Sequence, residues 1–126
     1  MVQADISQLS GECNTWRGAL RLYRDELTQN KNRLQQVANQ TLSKEQLQQV
    51  GHLHNQFHIQ LINVHDLKQA IKMHDRKLSF EIDANNGLSE EKTLAQHEDI
   101  LDQYQTLEHT LQELREEFDQ FLNRTQ

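Results

Sequence analysis

Asp83, Ala84, Asn85, Asn86, Gly87, Leu88 and Ser89, DANNGLS, form the stretch that decides the fold. Asn and Gly tolerate left-handed backbone angles and so end helices. Ser89 is suited to cap a new helix, and Glu90 and Glu91 suit the positive end of its dipole. A tight helix-to-helix reversal is expected here, with heptad-patterned sequence running away from it in both directions.

Downstream, Ile100, Leu107, Leu114 and Phe121 recur every seven residues beside His97, Tyr104, Leu111 and Phe118, with Leu94, Leu101 and Leu122 widening the apolar face. Three columns suggest a helix that touches more than one neighbour. Upstream, the strongest column is Val50, Phe57, Val64, Ile71 and Leu78. It is expected to be flanked by Leu47, His54, Leu61, Lys68, Asp75 and Ile82. That helix begins at a capping box, Ser43 followed by Gln46, in which hydroxyl and amide satisfy each other's backbone N–H. Before it lies a third heptad run, with Ile6, Cys13, Leu20, Leu27 and Leu34 in one column and Leu9, Trp16, Tyr23, Asn30 and Val37 in the other. Its start is expected at Ser7 or Ser10.

No proline interrupts the 126 residues, and Gln, Glu, Leu, Lys and Arg favour helix. The expectation is an all-α single domain over residues 1–126, with helices at about 7–40, 44–84 and 90–123. Short reversals make sequential helices antiparallel, so the fold class is an elongated up-down-up three-helix bundle with coiled-coil-like packing. The layout, with Trp16 on the first helix, resembles spectrin-repeat-like three-helix bundles. Residues 50–67, VGHLHNQFHIQLINVHDL, are also similar to segments of small uncharacterised helical bacterial proteins. Neither resemblance implies an activity.

With 13 Lys+Arg against 19 Asp+Glu the net charge is −6, which argues against bulk attraction to nucleic acid or anionic lipid. Apolar runs are too short to cross a bilayer, one Cys excludes a disulfide scaffold, and the first ten residues lack the regions of a secretory signal. A cytoplasmic protein without nucleic-acid or membrane partners is expected. Charge is unevenly spread. Residues 1–42 carry five basic against four acidic side chains, residues 43–86 five against five, and residues 87–126 three against ten. The stripe Arg17, Arg21 and Arg24 is therefore expected to flank the acidic residues 108–117, or to form a solvated face.

If the reversals centre near residues 42 and 86, residues at one height sum to about 84 across the first turn and about 172 across the second. This pairs Asn30 with His54 and Asp75 with His97, and places Lys68 level with Trp16 and Tyr104. Of seven histidines, five lie on the second helix. His54 and His58 are one turn apart, so both rings could converge on one metal ion, with Glu26 at matching height. Zinc or another transition metal on His54, His58 and Glu26 is thus the alternative reading. The Glu-x-x-His pairs of ferritin-like bundles and the His-Glu-x-x-His of zincins are absent. Cys13, in a core column, reads as a small buried hydrophobe. No phosphate loop or nucleophile elbow occurs. A bundle also offers little concavity, so the leading expectation is a non-enzymatic interaction or scaffold module without a cofactor. Its partner would be a second copy or another helical protein, met by uncovered apolar surface on the third helix.

Overall fold

The computed structural model describes residues 4–84 and 86–125. Three helices fill most of that range: α1 (Ile6–Ala38), α2 (Lys44–Ala84) and α3 (Glu91–Thr125). They form the expected all-α three-helix bundle, in which α2 packs against both α1 and α3.

Local chemistry sets the ends. Asp5 caps α1, its side chain accepting from the Ser7 N–H at 2.9 Å, so the helix begins slightly earlier than the serines suggested. It stops at Ala38, where the Asn39 N–H turns back to the Gln36 and Val37 carbonyls. The capping box of α2 is present in both directions: the Ser43 N–H donates to Gln46 Oε1 at 2.8 Å, and the Gln46 N–H to Ser43 Oγ at 3.1 Å. At the second reversal Asn86 (φ 54) and Gly87 (φ 82) adopt left-handed backbone, and the Gly87 N–H donates to the Ile82 carbonyl. That six-residue closure satisfies a helix-end carbonyl that would otherwise be orphaned. Asn85 of this turn lies outside the described residues, as do residues 1–3 of the amino-terminal stretch.

The start of the chain is pinned to that same turn. The Ile6 N–H donates to the Gly87 carbonyl at 2.8 Å and the Ser89 N–H to the Ala4 carbonyl at 2.9 Å. Ser89 is fully buried, and its hydroxyl accepts from the Ala4 N–H rather than capping α3.

The heptad columns of α1 and α3 lie in the core. Ile6, Cys13, Leu20, Leu27 and Leu34 are all buried, and so are Ile100, Leu107, Leu114 and Phe121 with their neighbours His97, Tyr104, Leu111 and Phe118. Phe57 meets Phe118 edge-to-face at 5.2 Å. On α2 the central column is buried from Phe57 to Leu78, but its flank differs from expectation. Leu53, Gln60, Leu67, His74 and Glu81 are buried, whereas Leu47, His54 and Ile82 are exposed and Leu61, Lys68 and Asp75 half-buried. Steps of three and four residues place a flank on either side of a column, and α3 covers the side carrying His74 and Glu81. Consequently α3 exposes none of its large apolar residues, while α2 presents Ile59, Ile62, Met73 and Phe80 outward.

Candidate functional site

The expected heights hold closely: Ser10 of α1 donates to Asp75 of α2 at 2.7 Å, and His74 of α2 meets His97 of α3 at 3.0 Å. At that level the apolar seam gives way to a polar layer drawn from all three helices. Cys13 comes from the first column of α1, His74 from the flank of α2 that faces α3, and His97 from the core face of α3. Their relative exposures are 0%, 6% and 3%.

One imidazole nitrogen of each histidine and Cys13 Sγ all lie within 4.8 Å of one another, and among the described residues this is the one group of three or more potential metal ligands so gathered. The close histidine contact joins His74 Nε2 and His97 Nδ1, with ring centroids 5.1 Å apart. On its other side His97 Nε2 faces Glu12 Oε2 at 3.6 Å. Both atoms are buried and neither has a hydrogen-bond partner. Trp16 covers His97 at 4.8 Å and stacks on Tyr104 at 5.9 Å. Burial pushes the Cys13 thiol up to about 12, assisted by the nearby Asp75 and Glu12 carboxylates. Burial likewise lowers the His74 pKa, with His97 adding to the effect. Both shifts favour the uncharged thiol and imidazole.

No protein-family model, curated protein or solved structure matches this chain.

The residues singled out from sequence fall elsewhere. His54 and His58 are both exposed on α2, and Glu26 is engaged by Arg115, which donates from Nε and Nη2 to its two oxygens. The three are not gathered as ligands. Asp75 binds Ser10 and, at 3.5 Å, Arg17, so it is not the partner of His97. Trp16 faces His97 and Tyr104. Lys68 is half-buried, and its pKa is lowered by burial and then by Arg24, Arg21 and Arg17. Of the arginine stripe, Arg17 reaches Asp75 of α2, while Arg21 and Arg24 are exposed, Arg24 on its neighbour Asp25. The charge match between α1 and α3 runs through Glu26 with Arg115, and through the Tyr23 hydroxyl donating to Glu108 at 2.7 Å.

Sequence reasoning passed over Cys13, His74 and His97 as a set. The signal was available, because the height rule brings residue 13 near residue 71 and residue 74 near residue 98. Assigning Asp75 to the inner flank of α2 hid it. Chemically, a buried thiol with two imidazoles is a donor set for zinc-class cations, whereas calcium and magnesium prefer oxygen.

Proposed function

We propose that this chain is a non-enzymatic helical-bundle module that acts by binding a second copy of itself along the outward face of α2. The observation that carries this reading is a stripe of unpartnered apolar side chains opposite the core. Phe80 is 76% and Met73 70% exposed, and Ile59 and Ile62 continue the stripe toward the amino end of the helix. Exposed apolar side chains gathered on one helix face mark interaction surfaces, whereas scattered ones do not.

The polar residues within the stripe favour a second copy over an unrelated helix. Two-fold symmetry requires a patch to match itself when reversed. Antiparallel pairing of α2 with itself sets Ile62 against Phe80, Gln69 against Met73, and Asp66 against Arg76. Asp66 and Arg76 are both exposed, and among the described residues neither is in an ion pair. The seam from Ile59 to Phe80 extends ~30 Å at 1.5 Å per residue. Open grooves between α2 and α3 are lined by Gln60, Asn63, Asp102 and Gln103 at one level and by Met73, His74, Lys77 and Gln96 at another. Such open grooves give little of the enclosure that catalysis usually needs.

Light scattering on the wild-type chain across micromolar concentrations tests the reading. A concentration-dependent dimer is expected. Phe80→Lys should shift it to monomer with unchanged helical circular dichroism. Asp66→Arg should weaken it, and adding Arg76→Asp should restore it. A wild-type chain that stays monomeric throughout, or a dimer indifferent to Phe80→Lys, overturns the proposal.

A further inference from the structure

We propose that Cys13 Sγ, His74 Nε2 and His97 Nδ1 form a three-ligand site for a zinc-class divalent cation, with Glu12 holding His97 in place from behind. Four observations meet here. Each helix supplies one ligand at the same height, so a bound ion ties all three together. The donor set, one thiol and two imidazoles, suits zinc or cobalt(II). All three side chains are buried, where an ion would be shielded from competing water. Lastly, the layer holds two unpartnered buried atoms, Glu12 Oε2 and His97 Nε2, aimed at each other across 3.6 Å.

A cation accounts for that mismatch. Coordination through Nδ1 fixes the His97 proton on Nε2, which then donates to the Glu12 carboxylate. This carboxylate–histidine–metal arrangement is the usual support for a ligating imidazole. The ion displaces the thiol proton, and the resulting thiolate and the Glu12 carboxylate together neutralise the dication. The thiol proton leaves to solvent and the layer passes from the single negative charge of Glu12 to neutral, so no uncompensated charge is left buried. Ligands bonded at about 2.0–2.3 Å in a tetrahedron stand roughly 3.5 Å apart. The 3.0 Å histidine contact must open slightly, and the widest separation in the group, within 4.8 Å, must close by about an ångström, movements within reach of side-chain rotation. Water takes the fourth position, entering by the α2–α3 groove that His74 lines with Met73, Lys77 and Gln96.

The test uses the full chain, stripped of metal and titrated with zinc or cobalt(II). One ion per chain is expected, with thiolate-to-cobalt charge-transfer absorption. Cobalt should also quench Trp16, the single tryptophan, which lies against His97. Zinc should raise the thermal midpoint of the wild type. Cys13→Ala keeps a small apolar group in the seam; it should retain helical circular dichroism, lose the charge-transfer band and weaken zinc binding at least a hundredfold. His74→Gln, which retains a hydrogen-bonding group, should weaken binding similarly and serves as the second variant. Glu12→Gln should keep the stoichiometry and weaken binding about tenfold. His54→Ala with His58→Ala should change nothing. Failure of folded wild type to take up stoichiometric zinc or cobalt overturns the site. Uptake that survives Cys13→Ala but vanishes in the His54/His58 double variant does so too, and an indifferent Glu12→Gln removes Glu12 from its supporting role.

Discussion

Arg115 of α3 closes on Glu26 of α1 in a two-pronged pair, Nε to Oε1 and Nη2 to Oε2 at 2.9 Å. The planar guanidinium matches both carboxylate oxygens at once, and the Arg115 pKa is raised by this contact. Glu26 is thereby committed to holding α3 against α1.

Both side chains are more than a third exposed, at 37% and 39%, so solvent screening limits the strength of the pair. A double-mutant cycle of Glu26→Gln and Arg115→Gln, read by urea unfolding, should give a coupling of about 0.5–1 kcal/mol that shrinks as salt is added.

Alkaline stability depends on the tyrosines. Burial and the Glu108 carboxylate push Tyr23 and Tyr104 up to about 12 from the ordinary value of 10.0. A phenol that stays protonated longer in the folded state than in the unfolded chain contributes fully below pH 10. That contribution is lost as the pH rises toward 12. Absorbance titration should place tyrosinate formation near 12, and urea midpoints should fall through the same interval. Tyr23→Phe removes the hydrogen bond to Glu108; it should cost about 1 kcal/mol at neutral pH and flatten part of the alkaline decline.

Two phenylalanines on one helix should respond oppositely to truncation. Phe57→Ala empties a fully enclosed position against Phe118 and should cost about 3–5 kcal/mol. Phe80→Ala, on the exposed face, should stay within about 0.5 kcal/mol in a dilute monomer. Chemical denaturation of both variants in dilute solution checks the contrast.

Two glycines give opposite signs on substitution by alanine. Gly87 has φ 82, so a side chain there is strained although nothing lies within 4 Å, and Gly87→Ala should destabilise by about 1 kcal/mol. Gly51 sits on an exposed turn of α2 with nothing within 4 Å, and Gly51→Ala should stabilise by about 0.5–1 kcal/mol. Thermal melts of the pair distinguish them.

The architecture was legible because its determinants are local. The Ser43/Gln46 cap, the Asn86–Gly87 turn and the heptads of α1 and α3 each fix their element without reference to distant residues. The inner flank of α2 was not. Leu53, Gln60, Leu67, His74 and Glu81 are no more apolar than Leu47, His54, Leu61, Lys68, Asp75 and Ile82, and only the position of α3 chooses between the two sets. From that single ambiguity came the misplaced partner of Asp75, the attention to His54 and His58, and the oversight of His74. It also put the uncovered apolar surface on the third helix, whereas Ile59, Ile62, Met73 and Phe80 are exposed on α2. The buried Glu81, whose carboxylate accepts from the Thr93 hydroxyl, shows the same lesson, since a charged residue can occupy an inner position when a neighbouring helix supplies the donor.

The stitching of Ala4 and Ile6 to the turn at Gly87 and Ser89 anchors the chain's entry at one pole of the rod, while α3 runs out at the other, beside the start of α2. With α1 33 residues long, Ala4 and Thr125 stand about 50 Å apart. A pull applied between those two residues would load the three helices lengthwise in shear instead of peeling them one at a time.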